Sequence, residues 1–373
     1  MKFKIDKKIL LEHLNYVIKG VSSKNIIPIL NCIKFELTND GLYLMSTDNE
    51  IAIKDFIDKK DIDSIDTLGE VVISGKYIYE IIRQLDNTLV NIEELIDSQI
   101  LITTDKSTFK LNCNKVSEFP NLDLEFIKNP IIMNQNNFKN AINQTIFATS
   151  NQESRPILTG INFKIKENKF QCTATDSYRL AKKIIEINEK IKEDIDIIVP
   201  SKNLLEVIKL LNNDEDNFEI HIFTNKIIFK INNIIIMSRL INGNYPETDK
   251  LIMDKFENSI KLNLNELYNA ISRASLLTNE EEKNIINCEI NDNIVNINSN
   301  IPEIGNVEEK IILNESIDSK LKISFSSKFV MDALKVFDCE EIELKFNGDV
   351  KPFIICDPLD NNLIQLIVPI RTY

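Results

Sequence analysis

Few residues in this 373-residue chain have the types and spacing for covalent chemistry. The two histidines, His13 and His221, stand far apart, so a Ser-His-Asp site or a multi-histidine metal site has little to work with. None of the eight glycines forms a G-x-G pair, which excludes a Walker loop and a dinucleotide fingerprint. Asp48 with Glu50, and Asp176, fall at strand ends and could act as paired acids and bases. Isolated carboxylates in such places are more often turn formers or salt-bridge partners. The six cysteines at 32, 113, 172, 288, 339 and 356 contain no C-x-x-C pair and lie mostly in apolar runs such as "PILNCIKFEL". They read as reduced, buried thiols. The expectation is a chain without cofactor, metal or catalytic residues.

Charge is the more informative chemistry. The chain carries 44 Lys and Arg against 57 Asp and Glu, a net charge of −13. Three segments share a basic–acidic–basic stripe: Lys76, Glu80 and Arg83; Lys202, Glu206 and Lys209; Lys328, Asp332 and Lys335. Residues at i, i+4 and i+7 line one face of a helix. The plain reading is a solvated face with short-range ion pairs. Repetition of the two basic positions in all three copies favours a shared task. Six helical windows (7–19, 76–85, 137–150, 202–211, 265–278 and 328–337) hold 11 Lys and Arg against 5 Asp and Glu, or +6, leaving −19 for the rest. A positive helical side on an acidic molecule attracts a polyanion to one surface and repels it elsewhere.

The elements that carry these charges repeat. "KFKIDKKILLEHLNYVIKGVSSKNIIPILNCIKFEL" from Lys2, "IIMNQNNFKNAINQTIFATSNQESRPILTGINFKI" from Ile131 and "SIKLNLNELYNAISRASLLTNEEEKNIINCEI" from Ser259 each read as strand, helix, loop and strand. "PILNCI" and "PILTGI" are 128 residues apart, and the second helices, at 76, 202 and 328, are spaced by 126. The joints "EFPNLD" and "NYPETD" are also 126 apart. Three domains are therefore expected at about 1–120, 121–246 and 247–373. Period-two segments such as "GLYLMSTD" and "IAIKDFI" predict half-buried strands, and "KILLEHLNYVI", "NFKNAINQTIF" and "ELYNAISRASLL" predict amphipathic helices. Gly75, Ser201 and Ser327 stand where N-caps of the second helices are expected. The fold class is α+β, with two helices and about eight short strands per domain and the helices gathered on one face of antiparallel sheet. The charged N-terminus lacks a signal-peptide core and no run reaches the length of a membrane span, so a soluble, cytoplasmic protein is expected.

"ATDSYRLA" at 174–181, "NGNYPETDKLI" at 242–252 and the terminal "LIVPIRTY", with the three repeats, resemble the bacterial DNA polymerase III β subunit family, the sliding clamps. The resemblance spans the whole chain. It implies three similar clamp domains forming half of a six-domain ring, closed by a head-to-tail homodimer around duplex DNA without sequence preference. It implies a non-enzymatic processivity factor whose helices line the hole. DNA contacts carried over are Lys24, Lys76, Gln152 and the Arg155, Pro156, Ile157 segment. The repeat stripe adds Arg83, Lys202, Lys209, Lys328 and Lys335.

The family's partner-peptide pocket maps onto Thr175, Ser177, Tyr178, Arg179 and Leu180, then Pro246, Lys250 and Leu251. It is completed by Leu366, Val368, Pro369, Ile370, Arg371 and Thr372. Leu180, Leu251, Val368 and Ile370 would take apolar anchors from short linear peptides of the DNA polymerase III alpha subunit, clamp-loader subunits and other polymerases or repair proteins. Ser177-Tyr178 stands where Gly-His is common, Lys250 where Arg is common, and Thr372-Tyr373 extends past the usual end. Ring closure would pack Phe109 against Leu276 and Leu277, with Lys106 facing Glu303, Glu308 and Glu309. The alternative is a peptide-binding adaptor that never encloses DNA.

Overall fold

The computed structural model describes residues 1–373 apart from 23–25, 97, 127–128, 189, 192, 212–215, 254, 280–283 and 372–373, with the backbone alone at 316–319. Lys24 and Thr372, two of the expected site residues, lie outside the described residues.

Local sequence sets the first elements directly. Lys2–Asp6 alternates and buries Phe3 and Ile5. Asp6 ends the strand by accepting a hydrogen bond from the Lys8 amide, which caps helix α1 (Lys7–Val17). Leu10, Leu14 and Val17 form the buried stripe of α1. The other helices are α2 (Gly75–Gln84), α3 (Gln135–Ile146), α4 (Ser201–Ile208), α5 (Leu264–Ala274) and α6 (Ser327–Leu334). Gly75, Ser201 and Ser327, expected as caps, are instead the first helical residues. The cap position falls one residue earlier, on Ser74 and Ser326 for α2 and α6, and neither side chain makes a capping bond. Both serines are also the last residues of strands, so the sheet rather than a cap fixes where the helix begins.

The chain forms two compact units, Met1–Asn136 with Lys202–Leu240, and Asn137–Ser201 with Ile241–Tyr373. Among the described residues the first unit holds one thirteen-stranded sheet, and the second an eight-stranded sheet and a two-stranded ribbon. The described strand pairs are antiparallel, as the hairpin-rich sequence predicts.

Strand pairing carries each sheet across a repeat boundary. In the first unit, Ile51–Asp58 of the first repeat pairs with Ile234–Arg239 of the second, with Ile51 opposite Ser238 and Lys54 opposite Ile235. In the second unit, Arg179–Glu186 of the second repeat pairs with Leu363–Ile367 of the third, with Arg179 opposite Ile367. Ile51 and Arg179 are 128 residues apart, so the same strand of successive repeats makes both junctions. The middle repeat thereby divides between the units.

The third repeat departs from the expected run of short strands. Ile285–Ile301 and Gly305–Ser326 are continuous strands of 17 and 22 residues. No glycine or proline interrupts either segment after Gly305, and the pairing continues through register shifts on both sides of Asp292.

Packing is tight where the second unit's sheet turns toward the loop carrying Arg155. Phe138 of α3 meets Phe163 and Phe170 edge-on at 6.0 and 6.1 Å. A Cβ at Gly160 would lie 2.7 Å from both the Val199 carbonyl and the Ile198 side chain. Gly160→Ala is therefore expected to destabilise the chain by about 1–3 kcal/mol, read as a lower urea midpoint with unchanged m-value.

Candidate functional site

Three kinds of surface emerge from the described residues. The first is the solvent face of the second helices. Ile78 and Ile82, Leu204 and Ile208, and Val330 and Leu334 bury the same two positions of α2, α4 and α6. Lys76, Lys202 and Lys328, two residues before the first of each pair, are exposed. Among the described residues no ion pair reaches these three lysines. The second basic position differs. Arg83 meets Glu80 at 2.5 Å, Lys209 meets Glu206 at 2.7 Å and Lys335 meets Asp332 at 3.9 Å. The plain reading thus holds for the i,i+3 pairs, and the free cations are the leading lysines.

Lys19, just past α1, lies near α4 in the same unit. Burial pushes its ammonium pKa down; Glu206 opposes that shift and Lys209 adds to it. Gln152, Arg155 and Pro156 are exposed, and Ile157 is half-buried against Gly243, whose φ is +131°. Arg155 donates from Nη1 to Ser177 Oγ at 3.3 Å, so a residue expected against DNA reaches the partner-pocket loop.

The second is an apolar cluster in the second unit, at positions expected to form the partner-peptide pocket. Leu180, Ile354, Cys356 and Leu366 are its buried members, and the partly buried Ile252, Phe256, Ile364 and Val368 pack against them. Ile354, Cys356, Ile252 and Phe256 were not among the expected residues. The four-residue apolar strand Phe353–Cys356 carried the signal for two of them. Leu251, expected as an anchor, is 50% exposed, and its neighbour Ile252 joins the apolar cluster instead. Pro246 is exposed, and Lys250 is exposed in an ion pair with Glu247. Val368, Pro369 and Ile370 are half-buried and Arg371 is exposed. The Ile370 amide donates to the Ser324 carbonyl at 2.7 Å, which ties the segment down.

The strand that carries Leu180 is entered through a hydrogen-bonded turn. The Thr175 hydroxyl donates to the Arg179 carbonyl at 2.6 Å, and the Thr175 amide donates to the Tyr245 hydroxyl oxygen at 3.0 Å. Asp176 Oδ1 accepts from the Tyr178 and Arg179 amides at 2.9 and 3.1 Å, and Ser177 has φ +80°. The first repeat builds the same turn: Asp48 Oδ1 accepts from the Glu50 and Ile51 amides, and Asn49 has φ +77°. These carboxylates are turn formers.

Arg179, expected among the pocket residues, is only 9% exposed. Its guanidinium is bound by Asp176 at 3.0 Å and by Asp332 of α6 at 2.9 Å. The rings of Phe147 and Phe329 lie 5.3 and 4.6 Å from it. A cation this deep needs its counter-charges, because burying it unpaired is costly.

The third surface comprises two strand edges. Thr108–Asn114 pairs with Gln99–Thr103 from Thr108 to Asn112, and on its other side only at Cys113 and Asn114 among the described residues. The first half of Gly305–Ser326 pairs only with Ile285–Ile301. Phe109 on the first edge is 36% exposed. It borders a cavity of about 370 Å³ that Ile81, Leu85, Thr104 and Lys106 also line. Lys106 pairs with Asp86 at 3.6 Å. In the second unit Leu276 is 79% exposed on the turn Ser275–Leu277, and Leu277 is half-buried. Glu303 and Glu308 are exposed. Glu309 accepts from Arg273, which donates from Nε and Nη2 at 2.8 and 2.6 Å. No described helix is long and apolar enough to cross a membrane.

Family profiles cover nearly the whole chain. Those described as the N-terminal, central and C-terminal domains of the DNA polymerase III beta subunit match residues 1–123, 132–247 and 249–371. The chain belongs to the DNA polymerase III beta subunit family. It is 37% identical over 377 residues to the beta sliding clamp of Staphylococcus aureus and 38% identical over 378 residues to that of Bacillus subtilis, with full coverage of both partners. A crystal structure of the Bacillus subtilis DNA polymerase sliding clamp superposes over the full length of both chains with a TM-score of 0.96 at 37% identity. The beta chain from Streptococcus pneumoniae gives 0.95 at 33% identity, again with full coverage of both.

As a beta sliding clamp, the chain is a non-catalytic DNA polymerase subunit, in keeping with Asp48 and Asp176 serving as turn formers. Next to the exposed Lys250, Asp249 accepts from Lys182 at 2.8 Å. That bond holds its carboxyl below the usual carboxylate range against partial burial, and Lys164 adds to the effect. A depressed folded-state pKa contributes stability above the unfolded value and loses it as pH falls through the folded one. Asp249→Asn should therefore cost about 0.5 kcal/mol at neutral pH, given its exposure, with the difference from wild type fading below about pH 4 in urea titrations.

Proposed function

We propose that two copies of this chain join head to tail into a ring of six domains that encloses duplex DNA and tethers the replicative polymerase to it. The observation that carries this reading is the strand pairing. Ile51–Asp58 pairs with Ile234–Arg239, and Arg179–Glu186 with Leu363–Ile367, so each internal junction uses the same two strands of adjacent repeats. One such pair is left over, the Thr108–Asn114 edge of the first repeat and the Gly305 edge of the third. Exposed backbone donors and acceptors on those edges gain partners when a second chain supplies the missing strand. Because each edge complements the other and not itself, the contact is heterologous, and two copies close by satisfying both. Leu276 of one copy is suited to the cavity beside Phe109 of the other.

In this reading the domains are 1–120, 121–246 and 247–373, and the exposed Lys76, Lys202 and Lys328 face the phosphates. Lys24, Gln152, Arg155, Pro156 and Ile157, with the paired Arg83, Lys209 and Lys335, complete the DNA-facing set. Enclosure removes the need for tight contact, and weak phosphate contacts without base readout leave the ring free to slide. The cleft floored by Leu180 and Leu366 captures apolar side chains of short peptides from the polymerase alpha subunit, the clamp loader and repair proteins.

The mass in solution is expected to be about twice the 43.0 kDa of one chain, and Phe109→Glu or Leu276→Glu should each shift it toward one. Loaded protein should stay on nicked circular DNA and be lost when the circle is cut; loss from both alike would support the adaptor reading instead. Replacing Lys76, Lys202 and Lys328 with Ala should make the slope of log affinity against log salt shallower, by about 0.9 for each phosphate that the variant no longer neutralises.

A further inference from the structure

We propose that Asp332, on α6, is a positioning residue for the peptide cleft: by holding the buried Arg179 it fixes the turn that forms the cleft wall. The proposal rests on the reading of that cleft as a peptide site. Three observations carry it.

The first is the alternation of the strand. Leu180 lies in the cleft floor, while the adjacent Arg179 turns its guanidinium to Asp332, Phe147 and Phe329. Any displacement of Arg179 therefore moves Leu180. The second is the turn itself. The Arg179 carbonyl accepts the Thr175 hydroxyl and its amide donates to Asp176, while the Tyr178 carbonyl accepts the Val368 amide at 2.9 Å. Both walls of the cleft are hydrogen-bonded to the segment that Asp332 anchors.

The third is a departure from the repeat. Glu80 and Glu206, the counterparts of Asp332, pair with Arg83 and Lys209 on their own helices. Asp332 reaches Lys335 only at 3.9 Å and directs its shorter contact to Arg179. At the other internal junction the counterpart of Arg179 is Ile51, which is buried and uncharged, and Asn203 of α4 instead donates to the Glu50 carbonyl at 3.3 Å. The charged tie belongs only to the junction that carries the cleft.

If Asp332 is replaced, a nearly buried guanidinium keeps a single carboxylate, and the turn relaxes to bring water to it. The test is fluorescence anisotropy with a fluorescein-labelled synthetic short peptide carrying apolar side chains, on the full chain. Asp332→Ala should weaken binding about tenfold, and Asp332→Glu should recover most of it. Val330→Ala, in the core on the same helix, should lower the melting temperature without moving peptide affinity. Wild-type affinity in Asp332→Ala, or an equal loss in Val330→Ala, would overturn the proposal alone. A wild-type chain that does not bind the peptide would instead remove the cleft reading, and the proposal with it.

Discussion

An antiparallel strand must satisfy the hydrogen-bonding groups along both of its edges, and this chain is organised around where that need is met. Within the chain, two repeat boundaries are crossed by continuous pairing, at Ile51–Asp58 with Ile234–Arg239 and at Arg179–Glu186 with Leu363–Ile367. The helices then need only cover one side of the sheets. They do so with short apolar stripes such as Ile78 and Ile82 or Val330 and Leu334, which leave the opposite helix face to charge. Junction, helix face and cleft all follow from the same repeated pairing.

Charge placement builds on that frame. The acidic partners of Arg83, Lys209 and Lys335 sit three residues away on the same helices, so those cations are already matched locally. Exposed pairs of this kind contribute little to stability, about 0–1 kcal/mol each. Arg179 is the exception because it is buried, and two carboxylates and two aromatic rings enclose it. The leading lysines stay exposed and without an ion pair among the described residues, whereas the buried arginine is enclosed.

Much of this was legible in the sequence. The repeats, the six helices and the family motifs are short-range patterns, and α1 and α5 begin where polarity and period change. The loop around Asp176 was legible through the family motif at 174–181, and the turn chemistry that Thr175 and Asp176 share with Thr47 and Asp48 became visible only in the structure. What could not be read depends on distant partners. Arg179 meets an acid 153 positions away, and Glu309 is claimed by Arg273 from 36 positions away. No local pattern separates such residues from exposed ones. The helix caps shifted by one because the preceding strands, rather than Ser74 or Ser326, set the entry. The long strands of the third repeat merged because nothing in Gly305–Ser326 breaks extended backbone.

The two unfilled edges bear on the solitary chain as well as on the pair. Thr108–Asn114 offers one lysine, Lys110, and the opposite edge offers Glu308 and Lys310, which discourage indiscriminate sheet extension without preventing it. In the proposed ring, a subunit kept apart from its mate would present adhesive backbone to any extended polypeptide. Its folded lifetime becomes a matter of abundance: crowded copies protect one another, and thinly distributed ones are left open to clumping.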